Sequence, residues 1–195
     1  MRWLCALLLC SLSACMTRHD DPDDLQLVGL KLGEGPYSNS EFEKKGRGEM
    51  IDVEVVTKLN YTNRFKGRYV SVPFYFCDQV DMYVQGLGHL GLYRRDKRWV
   101  RIDDGQEGDD NSYGPYHYHT AMSSFAHDET PIFNNKPTIL DYDLRRSPRD
   151  VCFYLDAGAM GLGIINSVRS NVVRIPKEVL IKFFAEHPRR PPSRN

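Results

Sequence analysis

The chain has 195 residues, 41% of them hydrophobic, with 26 lysine and arginine residues against 26 aspartate and glutamate residues. These counts suit one globular domain and exclude a disordered or collagen-like chain, and the even charge balance leaves no polybasic patch for nucleic acid. The mean hydropathy is −0.49 and the single apolar run lies at the N-terminus, which excludes a polytopic membrane protein.

The first fourteen residues have the features of an export signal. Arg2 precedes an apolar stretch at residues 3–12, which as a helix would span about 15 Å, half of a bilayer's hydrocarbon core. The sequence Leu12-Ser13-Ala14-Cys15 follows and resembles the bacterial lipobox, in which the cysteine thiol becomes acylated. We therefore predict that residues 1–14 are removed and that Cys15 is lipidated. A free secreted protein, cut at a weak site of small residues, remains the alternative.

The resemblance to lipoproteins also implies a location. Met16 stands where an aspartate would favour retention in the inner membrane, so we expect an anchor in the outer membrane of a Gram-negative cell, facing the periplasm. We predict a lipidated cysteine and acidic tether at residues 15–28, a single mostly β domain at 29–187, and a disordered proline-rich tail at 188–195.

Between tether and tail the hydrophobic residues alternate with a period of two, which predicts β-strands. The predicted strands are residues 49–59, 70–76, 90–92, 100–102, 138–144, 150–156 and 171–175. Pro73 indicates an edge strand or bulge in the second of them, and residues 94–97 form a charged hairpin turn. Residues 158–163 have the composition of a glycine-rich turn between strands.

Residues 176–187 alone favour a helix. Pro176 suits a first helical turn, and Pro188 ends the segment. The apolar stripe consists of Val179, Leu180, Phe183 and Phe184. The predicted fold class is therefore mainly β, an antiparallel sandwich or partly closed barrel with one C-terminal helix.

Two of the five cysteines remain available for a disulfide. Cys5 and Cys10 leave with the signal, and Cys15 is acylated, which leaves Cys77 and Cys152. In the oxidising periplasm two remaining thiols are expected to pair. Two separately buried thiols are the alternative.

Residues 103–119 have the composition of a partner-binding loop. Five carboxylates, which we expect to steer a partner, are followed by three tyrosines, which we expect to anchor it; they are Asp103, Asp104, Glu107, Asp109 and Asp110, then Tyr113, Tyr116 and Tyr118. The spacing does not match an EF-hand loop. A plain solvated acidic loop and a cation site are the alternatives.

The remaining candidate residues give little reason to expect metal or catalysis. His117 and His119 would point the same way in a strand and could reach one ion, but two ligands do not make a site. The alternative is an aromatic surface strand whose histidines face water. Ser123, Ser124 and His127 lie close in sequence without a nucleophile motif. We predict no metal, no cofactor and no enzymatic activity.

The C-terminal section resembles a known group of proteins. Residues 150–154, Ser167, Asn171 and residues 173–176 are similar to the closing section of small enterobacterial periplasmic lipoproteins, which are immunity proteins of type VI secretion systems. These share a lipobox, a late Cys-Phe strand and an Ile-Pro exit from the last strand. The resemblance implies a protein that binds and sterically blocks a toxin effector delivered by neighbouring bacteria. A constitutive envelope-assembly or ligand-binding lipoprotein of the outer membrane is the alternative.

Overall fold

The computed structural model describes residues 24–33, 49–65, 68–80, 83–84, 87–88, 91–95, 99–102, 113–127, 138–139, 141–161 and 164–188. The predicted export signal, the lipobox-like sequence with Cys15, most of the predicted tether and residues 189–195 lie outside the described residues. Neither helix within these ranges has the length and apolar character needed to cross a membrane.

The described part of the chain is mainly β, as predicted. Its strands are β1 (Gln26–Leu32), β2 (Met50–Thr57), β3 (Tyr69–Ser71), β4 (Phe74–Phe76), β5 (Tyr83–Val84), β6 (Tyr93–Arg95), β7 (Trp99–Arg101), β8 (Tyr116–Ser123), β9 (Phe125–His127), β10 (Thr138–Ile139), β11 (Asp141–Asp143), β12 (Val151–Phe153), β13 (Asp156–Gly161), β14 (Ile164–Arg169) and β15 (Val173–Ile175). Its helices are the single turn α1 (Tyr61–Arg64) and the C-terminal α2 (Lys177–Glu186).

The largest sheet has five antiparallel strands in the order β1-β2-β8-β6-β7, and we call it the main sheet. Strand β2 alternates as its sequence predicts, so that Ile51, Val53 and Val55 are fully buried on one face. Asp52 and Glu54 therefore lie on the opposite, outer face. This outer face carries the polar residues of the candidate site.

Two three-stranded antiparallel sheets complete the framework, in the orders β15-β12-β4 and β14-β13-β3. Short pairs join β9 to β11 and β5 to β10, and the second of these is parallel. Within the described residues the sheets do not close into a barrel.

Pro73 divides one predicted strand into two. Strand β3 precedes it and pairs with β13, whereas β4 follows it and pairs with β12. Both pieces are edge strands, as the proline predicted, because proline lacks the N–H that a central strand needs for its ladder hydrogen bonds. The chain thus changes sheet at the proline.

The predicted pair of strands on either side of the charged turn is present, and the strands extend further toward the turn than predicted. Strands β6 and β7 pair antiparallel, and the Ile102 amide donates to the Leu92 carbonyl oxygen at 2.9 Å. Arg94 and Arg95, which the sequence pattern assigned to the turn, belong to β6. Predicted strand 138–144 is instead divided between β10 and β11, which pair with different partners.

The glycine-rich segment is a strand rather than a turn over most of its length. Gly158 pairs with Ser167 on one side and Tyr69 on the other, and β13 continues to Gly161. The prediction of a turn over residues 158–163 is therefore wrong for its first four residues. Backbone pairing on both sides of Gly158 outweighs its weak strand propensity.

The C-terminal helix α2 covers the core as predicted, with a narrower apolar stripe. Leu180, Phe183 and Phe184 are buried, but Val179 is exposed. The helix begins after Pro176, which occupies the N-cap position in extended conformation.

The domain begins earlier than the predicted boundary at residue 29. Leu25 is buried, and β1 starts at Gln26. The Asn171 side chain brackets Leu25, since its Oδ1 accepts from the Leu25 amide at 3.1 Å and its Nδ2 donates to the Leu25 carbonyl oxygen at 3.0 Å. A register shift between Leu27 and Gly29 interrupts the period-two pattern of β1, which is why the sequence placed this segment in the tether.

Asn171→Ala should destabilise the domain by about 1–2 kcal/mol, because both backbone groups of Leu25 lose their side-chain partner. Amide hydrogen exchange should accelerate in β1 before it does in β2. Val172→Ala, a change at the next residue that keeps the bracket, is the matched control and should leave both measurements nearly unchanged. Equal effects of the two variants in urea unfolding would contradict this role of Asn171.

Candidate partner-binding site

Of the predicted partner-binding residues, the structure describes the three tyrosines and none of the five carboxylates. The carboxylates of Asp103, Asp104, Glu107, Asp109 and Asp110 lie outside the described residues. Tyr113 is 97% exposed, and Tyr116 is partly buried against the core. Tyr118 is fully buried. Of the three tyrosines, Tyr113 is therefore the one available to a partner along its whole side chain.

The hypothesis that Tyr118 anchors a partner is wrong. Tyr118 pairs with Val55 across the main sheet and so points into the core. Its ring lies 5.2 Å from the Tyr61 ring, and its hydroxyl oxygen accepts from the Tyr61 amide at 2.7 Å. Burial raises the pKa of the Tyr118 hydroxyl above its ordinary value.

The error arose because residues 116–123 form β8, the central strand of the main sheet, rather than the end of a loop. The alternation of Tyr118, Thr120 and Met122 toward one face was the signal that could have identified it. The histidines between them obscured an apolar pattern.

The outer face of the main sheet carries two histidine–carboxylate pairs, which we call the histidine ladder. His119 Nδ1 lies 3.0 Å from Asp52 Oδ2, and His117 Nδ1 lies 2.9 Å from Glu54 Oε1. The two histidines share a face of the sheet, as their spacing predicted. Each imidazole N–H donates to a carboxylate on β2 that lies diagonally across the strand pair, because an ionised carboxylate can only accept. The Asp52–His119 pair is buried, whereas His117 is half-exposed.

The carboxylates of the ladder lie on the Nδ1 side of each imidazole, so a metal ion could be reached only through Nε2. Both Nδ1 atoms face carboxylates, and Lys31 Nζ lies 3.2 Å from the second Glu54 oxygen. Among the residues that the structure describes, no group of three or more His, Cys, Asp or Glu side chains is arranged to hold a metal ion. The arrangement fits cross-strand stabilisation of the sheet.

An aromatic and cationic surface lies beside the ladder, formed by Tyr69, Arg95, Trp99 and Arg101, and we call it the tryptophan face. The Arg95 guanidinium lies 5.5 Å from the Trp99 ring centre, directly across the β6–β7 pair. The Arg101 guanidinium lies 5.7 Å from the Tyr69 ring centre, on the edge strand of the neighbouring sheet. The face therefore joins the edges of two sheets.

The histidine ladder contacts the tryptophan face through His119. The Trp99 ring meets the His119 imidazole edge-on, with ring centres 4.8 Å apart. His119 is in turn held by Asp52. Trp99 thus contacts both Arg95 and His119 while remaining partly exposed. The sequence pattern gave no sign of this residue, because His119 and Asp52 come from strands that are distant along the chain.

The comparisons with known proteins supply no relative for this site. No family model matches the chain, and no curated protein or solved structure matches it.

Four carboxyl groups have pKa values below their ordinary range. Hydrogen bonds from the Thr57 hydroxyl, the Arg149 guanidinium and the Lys177 amide lower the pKa values of Asp24, Asp78 and Asp150, respectively. Burial alone would raise the pKa of Glu54, but bonds from His117 and Lys31 outweigh it and lower the value. Each depressed pKa means that the folded state favours the charged form.

Acidification should therefore destabilise the protein. A carboxyl whose pKa is lower when folded contributes stability above its unfolded pKa, at about 4, and loses it as the pH falls through the folded value. We expect the free energy of unfolding to decline from about pH 5 downward. Asp24→Asn should reduce that slope in urea unfolding measured at successive pH values. A free energy that stays level between pH 6 and pH 3 would contradict this prediction.

Proposed function

We propose that this protein is a lipid-anchored periplasmic immunity protein, which binds and neutralises a toxin delivered by neighbouring bacteria. The observation that carries the proposal is the tryptophan face. Trp, Tyr and Arg are the residues that dominate binding energy at protein interfaces, and here Tyr69, Arg95, Trp99 and Arg101 form one connected surface.

The rigidity of the tryptophan face favours binding. Its side chains stand on paired strands, and both Arg95 and His119 contact the Trp99 ring. A partner would therefore lose little affinity to the ordering of flexible side chains. Tyr69, which is 55% exposed, extends the surface beyond the main sheet.

The acidic segment at residues 103–112 adds a steering role to the proposal. In sequence it begins two residues after Arg101, which belongs to the tryptophan face. Complementary charge on a toxin would speed association more than it deepens affinity. Steric occlusion of the toxin's active cleft needs no catalytic residue in this chain.

The proposed anchor is Cys15, acylated at the outer membrane. Its support is the lipobox, together with Cys77 and Cys152, whose sulfur atoms lie at disulfide distance as an oxidising compartment would require. Cys15→Ser should transfer the protein from the membrane fraction to the soluble periplasm on cell fractionation. Cys10→Ser is the control, since it removes a thiol outside the lipobox and leaves the Cys77–Cys152 pair intact. A Cys15→Ser protein that still sediments with the outer membrane would exclude the lipid anchor.

Competition between sibling strains tests the function even while the toxin is unidentified. Deletion of this gene should make a strain lose viability in contact with its parent, but not when a porous filter separates them. Returning the gene should restore survival. A deletion strain that survives contact, yet leaks periplasmic enzymes when grown alone, would favour the constitutive envelope role instead.

A further inference from the structure

The point at which the tether leaves the domain is fixed by a set of hydrogen bonds. The Asp24 carboxylate accepts from the Thr57 hydroxyl at 2.6 Å and from the Lys58 amide at 3.1 Å. Asn171 brackets the next residue, Leu25, which is buried. The chain therefore departs toward Cys15 from the end of β2.

Three exposed apolar side chains lie on the chain segments that meet near this point. Tyr113 lies near the end of β2, because Tyr116, three residues later, pairs with Thr57. The next residue, Gly114, is also close to β2: a Cβ atom placed on it would lie 3.5 Å from the Lys58 carbonyl oxygen. Val172, 53% exposed, follows Asn171 directly. Val28, 48% exposed, stands at the irregularity of β1, three residues after Leu25.

We call this end of the domain the tether pole, defined by Asp24, Val28, Lys58, Tyr113 and Val172. The described residues leave seven large apolar side chains exposed, and three of the seven belong to the tether pole. Lys58 adds an exposed cation to the same surface. Such a concentration of apolar groups around one point calls for an apolar or interfacial neighbour.

The length of the tether identifies that neighbour. Only eight residues, 16–23, separate Cys15 from Asp24. A fully extended tether of this length reaches about 30 Å, and a flexible one averages about half of that distance. An acylated Cys15 therefore holds the tether pole within about 30 Å of the bilayer, and on average at about half of that distance.

We propose that the tether pole is a membrane-contact surface, which rests on the phospholipid headgroups and places Tyr113 in the interfacial region. Tyrosine is enriched at that depth because its ring is apolar while its hydroxyl remains in contact with water. The anchor supplies a high effective concentration, so a small contact is sufficient to orient the domain. The inference depends on the anchor at Cys15 and not on the identity of any toxin.

A depth-sensitive reporter tests the orientation. Trp99 is the one tryptophan outside the export signal, so Trp99→Phe clears the background for a single new tryptophan. Tyr113→Trp places the reporter at the tether pole. Val80→Trp places the control at the opposite end of the domain. In the β15-β12-β4 sheet, Val80 follows Phe76, which pairs with Val151 at one end of β12. Asn171 lies beyond the other end of β12, where Phe153 pairs with Val173.

Each lipidated variant is reconstituted into vesicles of phosphatidylethanolamine and phosphatidylglycerol that contain brominated acyl chains, which quench nearby tryptophan. The reporter at position 113 should lose at least about half of its emission, and the reporter at position 80 should keep its own. Equal quenching at both positions, or none at position 113, would overturn the inference. If Tyr113→Ala abolishes protection while position 113 stays unquenched, Tyr113 belongs to the protein-binding surface.

Mass spectrometry of the membrane-extracted protein separates the failure of the contact from the failure of the anchor. Acylated protein with an unquenched reporter at position 113 overturns the membrane contact alone. Protein without acyl chains overturns the anchor in the proposed function, and the membrane contact with it.

Discussion

Tyr118→Ala should lower the free energy of unfolding by about 3–5 kcal/mol, whereas Tyr113→Ala should change it by less than about 0.5 kcal/mol. Both changes remove a tyrosine side chain from one short stretch of sequence, and their environments differ completely. Tyr118 is 0% exposed and Tyr113 is 97% exposed. The difference between the two losses in free energy of unfolding therefore reports the effect of burial, because the same side chain is removed in each variant.

The large effect at Tyr118 has two physical sources. Truncation leaves a cavity against Tyr61, whose ring otherwise packs on Tyr118 and stacks on Phe65 at 4.7 Å. It also removes the hydroxyl oxygen that accepts from the Tyr61 amide. Tyr118→Phe keeps the ring and loses only the hydroxyl, so its cost should fall near 1–2 kcal/mol. Urea unfolding of the three variants gives the comparison, and equal losses for Tyr113→Ala and Tyr118→Ala would contradict the placement of β8.

The double variant Cys77→Ala, Cys152→Ala should be less stable than the wild-type protein by about 4 kcal/mol, and its melting temperature should be lower by roughly 10 °C. The two cysteines are 75 residues apart in sequence, so a crosslink between them restricts a long loop in the unfolded chain. Both lie on short strands or turns of the β15-β12-β4 sheet.

Reduction provides the control for this second prediction. Dithiothreitol should lower the melting temperature of the wild-type protein by a similar amount and leave the double variant unchanged. Two reactive thiols in the unfolded, non-reduced wild-type chain would contradict the pairing.

The parts of the fold that the sequence predicted are those with an undisturbed period. Residues 51–55 alternate regularly and form the buried strand β2, and Pro176 and Pro188 bound the helix α2. The sequence failed where tertiary pairing outweighs local pattern. Strand β1 contains a register shift, and β13 contains Gly158, which pairs with a neighbouring strand on both sides.

The candidate site was harder to predict than the fold. Tyrosines near an acidic run suggested a binding loop, but Tyr118 alternates into the core once β8 pairs with β2. The tryptophan face depends on cross-strand register, which places Arg95 opposite Trp99 and Arg101 beside Tyr69. A single sequence does not contain that register, because it is set by the packing of all the strands together.

The most direct test of the proposed function complements the deletion strain with surface variants of this protein. The measurement is the survival of each complemented strain in contact with its parent. The protein carrying both Trp99→Ala and Tyr69→Ala should fail to protect, while Val80→Ala, which truncates an exposed apolar residue elsewhere, should protect fully. Because Trp99 also packs on His119, Tyr69→Ala alone and Trp99→Phe are included, and the melting temperature of each protein is measured. We expect partial protection from these two variants at wild-type stability. Full protection by a folded Trp99→Ala, Tyr69→Ala protein would contradict the assignment of the tryptophan face as the surface that binds the toxin.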